Sequence, residues 1–174
     1  MKKRHIAFAF SLTQLWVLMS LLGAILCETL MIYPNIFYDI PRSFEIGMKF
    51  MVVRGPHDFF PPMGMLAMLT GVGSLIFNWR VKSARYWILG SVMIVFLGEF
   101  LLSMAYFWPR NTIMFEEGAA VHSVAVLEQT AQEFQAGHWL RVAGCAAASA
   151  LSFMGFLKIY RLRILSRDAH HKSK

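Results

Sequence analysis

The sequence predicts an all-α polytopic membrane protein, a bundle of four transmembrane helices with both termini in the cytoplasm. Three observations carry this. Of the 174 residues, 57% are hydrophobic and only 16% charged, against roughly half and a quarter in a soluble domain. The apolar residues fall in four runs of about 20, the length a helix needs to cross a bilayer core of ~30 Å. The 17 Lys and Arg residues collect mainly on one side of those runs. Four spans leave about half the chain for loops and tails, so residues 1–174 read as a single membrane domain. The composition excludes a disordered or fibrous chain and argues against an ordinary soluble enzyme.

The first span covers about 6–33. It follows Met1-Lys2-Lys3-Arg4, yet it is too long for a signal-peptide core and lacks a small-x-small cleavage site, so it reads as a retained helix. The second covers 60–77, with Pro61 and Pro62 placed in a first turn, where a missing N–H is tolerated. Asn78-Trp79-Arg80 closes it. The third covers 86–107 and is expected to stop at Pro109, and the fourth covers 138–160. Tyr33, Trp79, Tyr86, Trp87, Trp108, Trp139 and Tyr160 stand at span ends, as amphipathic rings do at headgroup level. Cys27 and Cys145 both fall within spans and read as small buried residues, not as a disulfide framework.

Orientation follows from the basic residues. The N-terminus (Lys2, Lys3, Arg4), the second connection (Arg80, Lys82, Arg85) and the C-terminal end (Lys158, Arg161, Arg163, Arg167, Lys172, Lys174) hold twelve of the 17. The other side has Arg42, Lys49, Arg54 and Arg110, with Arg141 inside the fourth span. The positive-inside rule therefore places the termini in the cytoplasm, with a bacterial cytoplasmic membrane as the expected location. The net charge of +7 suits tails lying against anionic lipid, and no nucleic-acid-binding module is visible.

Two longer connections, 34–59 and 108–137, face outward. The first alternates Phe44, Ile46, Met48 and Phe50 before Met51-Val52-Val53, too apolar for a free loop. The second carries Val121, Val124, Leu127, Ala131 and Phe134 near helical spacing and predicts a short helix on the bundle or the interface. The His170-His171 tail is too short to argue for metal binding.

Ionisable groups at membrane depth need a partner or a function. At 1.5 Å per residue, Glu99 lies ~12 Å, Glu28 ~7 Å and Arg141 ~5 Å from the outer ends of their spans. A contact between Arg141 and one of the glutamates would make their burial tolerable, whether as a plain interhelical tie or as part of a site. His57, Asp58, Asn111 and His138 gather at the same end, and His138, Arg141 and Cys145 share a helix face. Glu28, His57, Asp58 and Glu99 are thus candidate lining residues of an outward-facing polar pocket. Glu28, His57, Asp58, Glu99, His122 and His138 include enough ligand types for a metal, but no Glu-x-x-His, His-x-x-x-His or Cys-x-x-Cys spacing supports one, and no cofactor is predicted. Gly71-Val72-Gly73 lacks phosphate-loop context. The small-residue run 143–150 suits close helix packing, and Gln14 and Asn78 are expected to hydrogen-bond across helices.

Tyr106-Phe107-Trp108-Pro109-Arg110-Asn111 resembles the Pro-x-Asn signature of the anthrone oxygenase-like family of small four-helix membrane proteins. Gly137-His138-Trp139-Leu140-Arg141 is similar to that family's Trp-Asn-His-x-x-Arg-type start, with Gly137 where asparagine is common. The resemblance covers about residues 40–160. Most members have no assigned function; fungal members are linked to oxygenation of anthrones without an evident metal or flavin. It implies His138 as a catalytic base, with Asn111 and Arg141 stabilising an enolate or peroxide-like anion. The expected function is an oxygenase-like protein acting on a lipid-soluble small molecule. Two other classes stay open: a non-catalytic accessory or assembly subunit of a larger complex or homo-oligomer, and a small transporter titrating Glu99. The bilayer and a hydrophobic small molecule are the expected partners, and nucleic acid is not.

Overall fold

The structure, a computed structural model, describes residues 2–172, and for residues 2, 4 and 166–172 the backbone alone. The His170-His171 side chains therefore lie outside the described part. Every regular element among the described residues is helical. Helix α1 comprises Lys2–Cys27, a π turn at Glu28–Ile32 and a last α turn at Tyr33–Ile36. A short helix α2 (Arg42–Phe50) and then α3 (Pro56–Asn78) follow. Helix α4 runs over Lys82–Val121, and α5 over Val124–Lys172. Four of these helices (α1, α3, α4 and α5) are long and apolar enough to cross a membrane. α1 packs on α3 and α5, and α4 packs on α5 and α3, so each has two neighbours in the bundle. The described first residues of α1 and last residues of α5 lie at one end with the short α3–α4 connection, and the two longer connections lie at the other, the far end.

The helices outrun the expected spans. Only α3, at 23 residues, matches the bilayer core, with a length of ~35 Å. α4 does not stop at Pro109. Proline lacks an N–H and crowds the carbonyl four residues back, and the wide turn Ser103–Phe107 directly before it relieves both. The same device stands in α1, where the π turn Glu28–Ile32 precedes Pro34. α3 starts four residues earlier than expected, at Pro56, with the Gly55 N–H donating to the Asp58 carboxylate at 2.9 Å. Pro61 and Pro62 consequently sit beyond the first turn and remove the helical donors to the His57 and Asp58 carbonyls.

The connection 108–137 is not a separate helix. It divides into the last turns of α4 and the first turns of α5, joined by His122 and Ser123. Leu127, Ala131 and Phe134 are buried from the α5 side, while Val121 and Val124 are exposed at the turn. Arg110 donates to Glu133 at 2.7 Å, and Tyr106 Oη donates to the Glu133 carbonyl at 2.7 Å. The guanidinium lies 3.6 Å over the Tyr106 ring, so the two overhangs are clasped together. In the other connection Phe44 is buried on α2, while Phe50, Val52 and Val53 are exposed.

Three apolar clusters fill the bundle. Leu18, Leu21, Ile25, Ala67, Val95 and Cys145 meet at its middle. Ala84, Ile88, Val92 and Ile159 pack nearer the termini. Tyr33, Phe44, Phe107, Met114, Leu127 and Phe134 close the far end. Because lipid is as apolar as leucine, close approach and hydrogen bonds must hold such helices together. Asn78 Nδ2 donates to the Ala7 carbonyl at 3.2 Å and to Ser11 Oγ at 3.1 Å, and Ser91 donates to the Ala148 carbonyl at 2.8 Å. Gln14 donates in turn to Ser91. Gly73 packs against the Phe10 ring, where a Cβ would come within 2.5 Å. Cys145 is buried as expected, but Cys27 is exposed, turned away from the bundle core.

Candidate functional site

Close packing of α3 on α4 ends by Leu101, and a cavity of about 830 Å³ fills the widening gap toward the far end. Its more buried polar lining, Glu28, Glu99, Ser103 and Arg141, marks a deep end, and the more exposed His57, Asn111, Thr112 and Glu116 mark a mouth. Between them the walls are apolar, with Tyr33, Phe60, Phe107 and Phe134 among them. Met65, Met104 and Trp108 also line it and are exposed on the bundle surface.

Arg141 takes Glu99, not Glu28, as its partner. Its Nε donates to Glu99 Oε2 at 2.9 Å, with side chains 13% and 7% exposed. This is a single-point contact, not the bidentate fork, and the Nη groups make no hydrogen bond among the described residues. The guanidinium carbon lies 5.4 Å from the ring centroids of both Phe60 and Phe107. It is thus held by one carboxylate and two aromatic faces.

Glu28 belongs to a second group. Tyr33 Oη lies 3.1 Å from Glu28 Oε2 and 3.2 Å from His138 Nε2. His138 Nδ1 in turn lies 2.9 Å from Thr29 Oγ1. His138 is 0% exposed. The rings of Tyr33, Phe107 and Phe134 surround its imidazole, with centroids at 4.7, 5.7 and 5.8 Å. Glu28 and Tyr33 line the cavity; His138 does not.

Of the expected site residues, Glu28, His57, Glu99, Asn111 and Arg141 therefore face one cavity, while His138 sits behind Tyr33. Asp58 is turned away: its carboxylate accepts from the Gly55 N–H and from Arg54, fixing the start of α3. Cys145 continues the His138 face into the bundle middle, with Sγ 3.8 Å from the Leu18 carbonyl. His122 pairs with Glu117 near the α4–α5 turn and takes no part. Among the described residues no three His, Cys, Asp or Glu side chains are grouped to hold a metal ion.

Sequence reasoning assigned Tyr33 to the headgroup belt, whereas it is buried and bonded on both sides. Five residues separate it from Glu28, which in an α-helix would set the two on different faces. The i→i+5 closure of the π turn stacks them. Ser103, with a buried hydroxyl lacking a partner among the described residues, also went unnoticed.

Fold and cavity together define a class: a multi-pass helical membrane protein with a buried polar group at one end of its bundle. Compared with known protein families, curated proteins and solved structures, the chain matches none.

Proposed function

We propose that this protein binds a lipid-soluble small molecule in a pocket at the outward end of its helix bundle, in a bacterial cytoplasmic membrane with both termini cytoplasmic. The observation that carries this is the 830 Å³ cavity, apolar along its walls and polar at its deep end. Small-molecule sites of roughly 300–1,000 Å³ are built in this way, with a few polar groups setting orientation. The twelve basic residues at the end holding the termini support the orientation. Exposed Met65, Met104 and Trp108 at the cavity edge favour loading from the bilayer.

The oxygenase-like version of this reading rests on Asn111 and Arg141, which both reach the cavity. His138 would act in it only through Tyr33 and Glu28, never by touching substrate. Saturable binding of a neutral apolar fluorophore to the protein in nanodiscs tests the pocket. Gly64 lines the cavity and has open space at its Cβ position, so Gly64→Trp should abolish binding; unchanged binding would refute the pocket. Oxygen uptake with anthrone-like phenols, if equal in wild type and His138→Ala, removes the oxygenase version.

One observation favours a second reading. Ala143, Ala146, Ala147 and Ala150 are exposed along α5, a small-residue face that another membrane helix could approach closely. Crosslinking through Ala147→Cys, in a Cys27→Ser background, distinguishes an oligomer or accessory subunit from a lone bundle.

A further inference from the structure

Counting hydrogens around Glu28 locates a proton the pocket can give up. With its one hydroxyl hydrogen on the Ile25 carbonyl, 2.7 Å away, Thr29 acts as acceptor toward His138 Nδ1. A neutral His138 then carries its hydrogen on Nδ1 and turns a bare Nε2 toward Tyr33. Tyr33 has one hydrogen for two partners, Nε2 and Glu28 Oε2. Given to an ionised Glu28, it leaves Nε2 facing the phenol oxygen lone pair to lone pair on a fully buried ring. Given to Nε2, it lets Glu28 complete the chain as a carboxylic acid donating to Tyr33 Oη. Only this second arrangement pairs every atom without burying a charge. The remaining option, an imidazolium facing a carboxylate at 3.7 Å, pairs the atoms but buries two charges.

We propose that the pocket takes a lipophilic monovalent cation, an amphiphilic amine or quaternary onium group, which displaces this proton from Glu28. The inference rests on the pocket reading above and names its ligand class. The titratable and charged groups around Glu28 are Tyr33 on its own helix, His138 and Arg141 on α5 and Glu99 on α4, with His57 on α3 and Glu116 on α4 at the mouth of the same cavity. Glu28, Glu99 and Glu116 line the cavity against a single arginine, and that arginine is held by Glu99. With Glu28 protonated and Arg141 already paired with Glu99, a lipophilic anion would meet no uncompensated cation; a cation meets the carboxylate it frees at Glu28 and ring faces. Phe60 and Phe107 already face one cation, the Arg141 guanidinium. Ser103 Oγ, buried and without a partner among the described residues, lines the same cavity as a ready acceptor for an ammonium N–H.

The exchange balances. The Glu28 O–H bond breaks, the proton leaves to water through the mouth, and the new carboxylate neutralises the arriving cation. The Glu99–Arg141 pair is untouched, no covalent bond to the ligand forms, and the net charge of the site is unchanged.

The test uses the full chain in nanodiscs of neutral lipid. Tetraphenylphosphonium, a cation with no proton of its own, is compared with the neutral triphenylphosphine oxide by calorimetry in two buffers of different ionisation enthalpy. The expected result is saturable phosphonium binding with release of about one proton, weakening up to about tenfold per unit fall in pH. Glu28→Gln should lose at least tenfold in phosphonium affinity while still binding the neutral oxide, which shows the variant folded. Tyr33→Phe should keep binding but shift the pH profile. If both probes bind wild type and Glu28→Gln alike, or binding releases no proton, the cation inference is overturned while the pocket stands. If neither probe binds saturably, the pocket itself falls and the inference with it.

Discussion

Arg141 on α5 reaches Glu99 on α4 through its Nε at 2.9 Å, and this pair links two neighbouring helices at the deep end of the cavity. Both side chains are nearly removed from solvent, so neither charge tolerates loss of the other. Breaking a buried pair by removing one partner costs ~3–5 kcal/mol, because the survivor is left uncompensated. Glu99→Ala and Arg141→Ala should each lower thermal stability in micelles by that order. The double variant Glu99→Gln with Arg141→Met should recover most of the loss. A double variant no better than the worse single one would show that the pair does not act as a unit.

Gly137 faces the Tyr106 ring so closely that a Cβ would overlap it. Replacing a helical glycine by alanine is ordinarily worth up to ~1 kcal/mol through propensity. At Gly137 the clash should win, with a destabilisation of ~1–3 kcal/mol, because Tyr106 also carries the contacts to Arg110 and Glu133. Gly23, in α1 with open space at its Cβ position, is the control: its alanine variant should be neutral or more stable. Thermal unfolding of the two alanine variants side by side decides it.

Asn78 joins α3 to α1 by donating to the Ala7 carbonyl and Ser11 Oγ. Hydrogen bonds between membrane helices are worth ~0.6 kcal/mol on average, with a maximum near 1.7. Asn78→Leu should therefore destabilise by about 1 kcal/mol, and Asn78→Ser by less if it keeps one donor. Ligand binding at the far end should be unchanged in both, since the cavity lies at the other end of the bundle.

The turn at His122 and Ser123 and the connection near Arg80 lie at opposite ends of the bundle. In a Cys27→Ser background, a membrane-impermeant thiol reagent applied to intact cells should label Ser123→Cys and spare Ser83→Cys. The reverse pattern would invert the orientation. Cys145 is buried and should stay silent in both.

The Arg141–Glu99 contact was half legible from the sequence: two glutamates and one arginine at similar depth required a pairing, but not which one. The choice depends on helix rotation, and the wide turns of α4 around Glu99 set that rotation in a way periodicity does not encode. The same holds for Pro34 and Pro109, where sequence reasoning expected helix ends and the preceding wide turns let the helices continue.

What the sequence determined by itself is the class and the order of its four long apolar helices. Four apolar runs of membrane length leave the chain little choice but helices, because backbone polar groups in lipid must bond within their own segment. It also determined that the buried charges lie toward one end. Only the tertiary structure decided that Tyr33 joins Glu28 to His138, that His138 stands behind the cavity wall, and that Asp58 serves a helix start instead of a pocket. Those outcomes turn on shifts of about one residue's rotation and on which rings fill the far end. Contacts of that kind arise between helices, where neither propensity nor spacing along one helix reaches.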